Sequence, residues 1–164
     1  MTSDTGCDHR SVAKIHESID IEAAPERVWA VVAEDVKNVP KWSSNVDRVE
    51  KLDQGPPGKG TRYRYLLNIG GQKVTIEVEQ DVWSRPKSCA GGFVKGPLKG
   101  RWAYTYGPRK NGSTRLVYDL DFELTGVLRF ATGVLAPQYA DGIRKNMQAL
   151  KRYIESGKGP QPKK

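Results

Sequence analysis

The sequence predicts one α+β domain in which a seven-stranded curved antiparallel sheet wraps around a long C-terminal helix, with two short helices after the first strand. Three observations predict this class. The chain has 164 residues, a length that suits one domain with its own core. Apolar and polar residues alternate in several segments separated by turn residues. Near the C-terminus, apolar residues instead recur every three or four positions, as in an amphipathic helix.

The first strand is predicted over residues 12–21. Ile15, Ile19 and Ile21 share one face of this segment, which is the alternation expected of a half-buried strand. Glu17 is an exception, because it interrupts the apolar face.

Two short helices are predicted next. Pro25 suits the first turn of a helix, the apolar residues after it form a stripe, and a helix of about ten residues is predicted. The following segment, residues 35–44, contains Pro40 and Trp42, and predicts a second short helix and a turn.

Six further strands complete the predicted sheet. The breaks between them are rich in glycine, proline and asparagine, which favours tight turns and therefore antiparallel neighbours. These strands are predicted over residues 46–52, 61–69, 73–83, 87–95, 99–106 and 113–124.

The C-terminal helix is the only predicted element long enough to cover the apolar face of such a sheet. Its apolar stripe consists of Tyr139, Ile143, Met147, Leu150 and Ile154. Gly133 and Pro137 predict a kink or break at its N-terminal end. The stretch 124–139 holds more apolar residues than one packed stripe needs, and it predicts both a wall and a mobile entrance for any space under the helix.

Composition sets the boundaries of the domain. Residues 1–11 form a polar leader and residues 157–164 a basic tail, both predicted to be disordered, with one domain over residues 12–156. Two cysteines are too few for a disulfide framework, and the N-terminal region lacks the pattern of a secretory signal. The sequence therefore predicts a cytoplasmic protein without a membrane span; monomer and homodimer both remain open.

The formal charge of +8 favours anionic partners. Basic residues are nevertheless spread along the chain with acids interleaved, so no nucleic-acid partner is predicted. Transient contact with an acidic lipid surface remains compatible with the charge.

The segment GPPGKGT at 55–61 lies between strands and lacks the spacing of a phosphate-binding loop. The few histidines and cysteines lack zinc-ligand spacing. No cofactor or metal is predicted.

Four segments carry a resemblance to a known family: ESIDIEAAPERVWAVVAE at 17–34, Trp42 within VPKWSSNV, GKGTRYRY at 58–65 and GRWAYTYGPRKNGSTRLVYDLDFEL at 100–124. In this order, followed by the long helix, they resemble the polyketide cyclase/dehydrase and lipid-transport proteins of the START and birch-pollen-allergen (SRPBCC) superfamily. The resemblance implies a helix-grip fold with a deep hydrophobic cavity for a lipid, polyketide, hormone or other apolar ligand. Because that superfamily contains both enzymes and binding proteins, it does not by itself decide the function.

A strongly bent sheet and a straight helix do not match along their whole length, so we expect a concave apolar space between them. Such a space is the default site for a small apolar or aromatic ligand, including a carboxylated one. The residues predicted to form its wall are Trp42, Tyr65, Val78, Trp102, Tyr104, Tyr118, Leu120, Phe122, Phe130, Val134 and Tyr139.

Two other functions stay open at this point. One is a cyclase or dehydratase that moves protons with tyrosine, arginine or His16. His16 alternates with Ile15, so it is expected on the solvent side of the first strand and would act as a proton shuttle only if that side faced the cavity. The other is an interaction module in which the predicted cavity is ordinary core.

Overall fold

The computed structural model describes residues 12–162; the predicted leader, residues 1–11, lies outside the described residues. Seven strands form one antiparallel sheet in the order β1-β7-β6-β5-β4-β3-β2. The strands are β1 (Ala13–Ile21), β2 (Val46–Lys51), β3 (Arg62–Ile69), β4 (Gln72–Ser84), β5 (Ser88–Lys95), β6 (Leu98–Pro108) and β7 (Thr114–Leu124). The long helix α2 (Thr132–Glu155) follows the last strand. The predicted helix-grip fold is confirmed.

The two short helices lie between β1 and β2, as predicted. Helix α1 (Pro25–Trp29) has Pro25 in its first turn and continues as one π-helical turn, Ala30–Glu34. A 3-10 helix, Val36–Lys41, follows. A second 3-10 helix, Gly126–Ala131, leads from β7 into α2.

Irregular pairing bends the sheet. The register shifts twice between β4 and β5, and once between β2 and β3. Bulges of this kind increase local twist and bend a strand, which helps a sheet to curl. Most neighbouring strands are consecutive in sequence, whereas β1 pairs with the last strand, β7, with Ile15 opposite Leu120 and Ile19 opposite Leu116.

A kink or break was predicted at Gly133 and Pro137; helix α2 continues through both residues, so a break does not occur. Proline lacks one backbone donor, and the ladder therefore loses the bond that this residue would have donated. The rest of the helix is held by its apolar stripe, of which Ile143, Met147 and Leu150 are all buried. The tertiary packing of this stripe therefore outweighs the low helix propensity of Pro137.

The exceptional Glu17 of β1 has a partner on the helix. Its carboxylate accepts a hydrogen bond of 2.9 Å from the Arg144 guanidinium of α2, and its side chain is only 19% exposed. Further along, Lys151 of α2 donates a 2.8 Å bond to the backbone carbonyl of Asp20. An acidic residue on an otherwise apolar strand face thus helps to fasten the helix against β1.

The chain after α2 packs further than the predicted domain boundary at residue 156. The guanidinium of Arg27 donates to the carbonyl oxygens of Lys158 (2.7 Å) and Pro160 (2.6 Å). Arg27 is itself buried at 8% exposure. The first residues of the predicted basic tail therefore contact the domain through their backbone. Side-chain composition gives no indication of such a contact.

Candidate functional site

A cavity of about 130 Å³ lies between the inner face of the sheet and α2. Its walls come from all strands except β1, from α2, and from the segment between α1 and β2. The lining residues are Val32, Ala33, Val36, Val39, Trp42, Ser43, Asn45, Val46, Tyr63, Tyr65, Leu67, Ile76, Val78, Gln80, Cys89, Phe93, Trp102, Tyr104, Tyr118, Tyr139, Ile143, Asn146, Met147 and Leu150.

Strand alternation places the aromatic side chains of this wall. Tyr63 and Tyr65 are two residues apart on β3, so both point to the inner face. Tyr104 of β6 lies directly opposite Tyr118 of β7, and their ring centroids are 4.6 Å apart. The ring of Tyr139 enters from α2. Aromatic rings therefore face the cavity from both the sheet and the helix.

A glycine on the neighbouring strand makes room for Trp102. A Cβ added at Gly91 would lie 2.9 Å from the Trp102 ring and 2.1 Å from the backbone oxygen of Glu79. Only a residue without a side chain fits between them, so Gly91 allows the indole to lie close over β5.

Of the residues predicted from sequence, the structure brings seven together around the cavity: Trp42, Tyr65, Val78, Trp102, Tyr104, Tyr118 and Tyr139. Leu120 and Phe122 are absent from the lining although both are buried. Leu120 pairs across the sheet with Ile15, and the ring of Phe122 packs edge-on against Tyr139 at 5.5 Å. They occupy the correct face of β7 but belong to the packed core.

Phe130 and Val134 were also predicted to form the wall, and this placement is wrong. Their side chains are 79% and 69% exposed, on the 3-10 helix before α2 and on the first turn of α2. Leu135 and Ala131 of the same segment pack against the core instead. The sequence shows that this stretch is rich in apolar residues, but it does not show which of them face outward.

We expect Phe130→Ala to change the free energy of unfolding by less than about 1 kcal/mol, because its exposed ring loses little packing. The contrasting variant is Phe122→Ala, whose side chain is 3% exposed and for which about 3 to 5 kcal/mol is expected. Urea unfolding of both variants checks this. Equal losses would show that Phe130 packs in solution.

Sequence reasoning missed a polar cluster at one end of the cavity. The amide nitrogen of Asn146 donates to the Ser43 hydroxyl at 2.9 Å and also to the side-chain oxygen of Asn45. Its amide oxygen accepts a 3.1 Å bond from the backbone of Ser44. Asn146 directly precedes Met147 within the buried stripe of α2. A polar residue among these apolar positions is the sequence signal that could have indicated the cluster. The cluster ties α2 to the loop before β2.

Two polar groups of the lining have no hydrogen-bond partner among the described residues. They are the hydroxyl of Tyr63 and the indole N–H of Trp102. Tyr63 is 2% exposed. Buried polar groups are nearly always hydrogen-bonded, so each orphan requires an explanation.

Burial raises the pKa of the tyrosines around the cavity. The pKa of Tyr63 and that of Tyr139 rise to about 12, and those of Tyr65, Tyr104 and Tyr118 also rise, in each case chiefly through desolvation. These hydroxyls stay protonated at neutral pH and are available as donors.

Cys89 and the charged residues complete the chemistry of the site. Desolvation raises the pKa of the Cys89 thiol to about 11, so the thiol is protonated and a poor nucleophile at neutral pH. In the part of the chain that the structure describes, the cavity lining contains no Asp, Glu, Lys, Arg or His. Residues 12–162 also contain no group of three or more His, Cys, Asp or Glu placed to hold a metal ion.

His16 lies on the outer face of β1. Its imidazole forms a 2.5 Å contact with the carboxylate of Asp119, which is its cross-strand neighbour on β7, and its side chain is 70% exposed. The role of proton shuttle considered for His16 would require the opposite face, and the structure does not place it there.

Comparison with known proteins points to one family. A family model described as polyketide cyclase/dehydrase and lipid transport matches residues 12–155. No curated protein sequence matches significantly. Within residues 12–162, no helix combines the length and apolarity needed to cross a bilayer.

Solved structures share the fold at low sequence identity. The protein TTHA0849 of Thermus thermophilus is similar with a TM-score of 0.75 and 20% identity, over 88% of this chain and 98% of that one. A START superfamily protein of Mycobacterium smegmatis has a TM-score of 0.74 and 18% identity, over 87% and 97%. The Zhui aromatase/cyclase of a Streptomyces species has a TM-score of 0.69 and 18% identity, over 90% and 99%.

Proposed function

The chain belongs to the polyketide cyclase/dehydrase and lipid transport family, and from that premise we propose that it binds a hydrophobic or aromatic small molecule in the cavity between the sheet and α2. The observation that carries the proposal is the aromatic, uncharged lining of this cavity. Sites for small apolar ligands are concave, with mostly apolar walls and a few polar groups that orient the ligand.

The packing of α2 supports the same proposal. The helix is fastened at two places, by Arg144 to Glu17 on β1 and by Asn146 to Ser43 before β2. The two contacts lie towards opposite edges of the sheet, β1 and the loop before β2, which supports an open space between the helix and the middle strands. Aromatic side chains on both sides can then enclose a ligand.

An enzyme of cyclase or dehydratase type is the alternative function from a different class. Such a reaction needs a group that takes up and returns protons with a pKa near the working pH. The described lining has only tyrosine hydroxyls and one thiol for this purpose, and their pKa values are raised. This chemistry favours binding over acid–base catalysis.

A cavity-filling variant tests the proposed function. Val78 and Val82 both lie on β4, but Val78 is 3% exposed and lines the cavity, whereas Val82 is 39% exposed and lies outside the lining. We expect Val78→Phe to abolish binding of a neutral fluorescent probe such as 2-acetylnaphthalene and to remain folded, because its ring enters open space. The matched change Val82→Phe should leave binding intact.

Native mass spectrometry of freshly purified protein complements this test, since a co-purified apolar molecule would be detected as a mass shift. Equal probe binding by both variants would place the binding site outside the cavity. Failure of the wild-type protein to bind any apolar probe would instead support an interaction module whose interior is ordinary core.

A further inference from the structure

One end of the molecule carries an exposed apolar patch. This patch, here named the helix-start patch, consists of Val127, Leu128 and Phe130 of the 3-10 helix Gly126–Ala131 and of Val134 in the first turn of α2. We propose that the helix-start patch docks on the surface of a lipid bilayer that contains anionic lipids. Its apolar side chains enter the hydrocarbon boundary, and Arg129 contacts the head groups. The proposal concerns the outer surface of the protein and does not depend on the ligand in the cavity.

The helix-start patch holds the most exposed large apolar side chains of the described residues. Val127 is 91% exposed, Phe130 79% and Val134 69%. The next most exposed large apolar side chain, Val12, reaches only 47%. Exposed apolar side chains are common singly, but a contiguous group of them marks an interaction surface. The three highest values fall within residues 127–134, so this segment is a candidate docking surface.

The backbone under the patch is anchored to the domain. Thr132 is 1% exposed; its hydroxyl donates to the carbonyl oxygen of Arg129 at 2.9 Å and accepts a 3.1 Å bond from the backbone N–H of Leu124. The backbone N–H of Thr125 donates to the carbonyl oxygen of Pro97 at 2.8 Å. Because these bonds hold the segment while the patch side chains stay outside the core, the patch projects as a fixed feature of the surface.

The charge of this segment is positive and lies within the patch. Residues 124–140 contain one charged residue, Arg129, and no acid. The guanidinium carbon of Arg129 lies 4.8 Å from the centroid of the Phe130 ring, so the charge and the largest apolar side chain of the patch are side by side. The lysines at the neighbouring β5–β6 turn each have an acidic neighbour, Glu77 or Glu123. Arg129 is therefore the basic residue that the patch itself presents to an anionic partner.

An anionic bilayer fits this combination better than a second copy of the chain. A symmetric dimer through the patch would place the Arg129 guanidinium of each copy in one apolar interface, where the two like charges repel. A bilayer instead supplies hydrocarbon for Val127 and Phe130 and phosphate groups for Arg129. A fluid bilayer also needs no complementary groove, whereas a folded protein partner would need one for a side chain that projects as far as Val127.

The patch lies beside the place where the cavity approaches the surface. Gln138 follows Val134 by about one turn of α2 and lines a smaller cavity of about 70 Å³ between the helix and the β3–β4 turn. Tyr139 lines both this smaller cavity and the main one. Docking through the patch would therefore bring this side of the protein to a lipid phase, in which apolar molecules dissolve.

Flotation with lipid vesicles tests the proposal on the full chain. We expect binding to vesicles of equal parts phosphatidylcholine and phosphatidylglycerol, with weaker binding at high salt and on pure phosphatidylcholine. Phe130→Ala should weaken binding to the anionic vesicles about tenfold, because one large apolar side chain no longer enters the bilayer. Arg129→Gln should weaken this binding about fivefold and leave binding to pure phosphatidylcholine unchanged.

Two matched variants at the opposite end of the sheet are the controls. Leu52 is also an exposed apolar residue, and its backbone N–H bonds to Arg62 at the start of β3. Lys110 is an exposed basic residue in the turn between β6 and β7. Leu52→Ala and Lys110→Gln should leave vesicle binding unchanged. Val127→Asp should abolish it, since this change puts a carboxylate into the patch and removes a side chain with little packing to lose.

Vesicle binding by the variants decides the proposal. Absence of wild-type binding to the anionic vesicles overturns it, and so does equal binding by Phe130→Ala and Leu52→Ala. If Lys110→Gln weakens binding as much as Arg129→Gln, the overall positive charge of the protein is responsible, which also overturns it. Self-association that Phe130→Ala removes, without vesicle binding, would assign the patch to a second copy instead. The proposed function stands or falls separately, because binding of 2-acetylnaphthalene is measured without vesicles.

Discussion

Trp29→Ala is expected to lower the free energy of unfolding by about 3 to 5 kcal/mol, the usual cost of removing a fully packed tryptophan. Trp29 is 0% exposed and lies where α1 meets the sheet. Its ring packs against Trp83 at 4.7 Å and Tyr106 at 5.0 Å, and its N–H donates to Glu34 at 3.0 Å. Urea unfolding followed by circular dichroism measures the loss.

Trp42→Ala is the matched control for this prediction. Trp42 is also buried, but its ring borders the cavity, so fewer packed contacts are lost. We expect a smaller loss of stability than for Trp29→Ala, together with weaker binding of 2-acetylnaphthalene. If Trp42→Ala is the more destabilising of the two, the cavity does not exist as described, and Trp42 is part of the packed core.

Deletion of residues 158–164 is expected to cost roughly 2 to 4 kcal/mol, a large effect for a segment with few apolar residues. The carbonyl oxygens of Lys158 and Pro160 accept both described hydrogen bonds of the buried Arg27 guanidinium. Gly159 packs between these residues, near Tyr153 and Val31. Removing the segment therefore leaves the Arg27 guanidinium without these two hydrogen-bond acceptors.

A double-mutant cycle isolates this mechanism. Arg27→Met keeps an unbranched, largely apolar side chain but has no guanidinium, so in its background the same deletion should cost much less than in the wild type. Chemical denaturation of the four proteins gives the coupling free energy. Equal costs in both backgrounds would show that the deletion acts through something other than Arg27.

The strands were predictable because each carries its own signal. Alternation in β4 and β7 indicates an inward and an outward face, and glycine-rich turns mark their ends. The same alternation indicates that Tyr63 and Tyr65 share a face. Helix α2 is equally clear from its apolar stripe. Seven of the eleven residues predicted to form the wall lie in the cavity lining, whereas most of the lining residues were not predicted individually.

The errors occurred where local pattern does not decide. Leu120 and Phe122 lie on the predicted face of β7 but pack into the core, because the place of the cavity along the strand depends on how α2 crosses the sheet. Phe130 and Val134 are exposed because the 3-10 helix and first turn of α2 direct them outward. A kink or break at Pro137 was expected, yet α2 is continuous through this residue.

The sequence by itself determined the seven strands, the long helix and the inward faces of clearly alternating strands such as β4 and β7, since side-chain alternation and helical period act over a few residues. Only the tertiary structure decided which inward residues border open space. It also decided that Arg144 donates a hydrogen bond to Glu17, and that the backbone carbonyls of Lys158 and Pro160 accept hydrogen bonds from Arg27. These contacts join residues more than 100 positions apart. Their geometry depends on the bend of the sheet and the position of the helix, which no local pattern encodes.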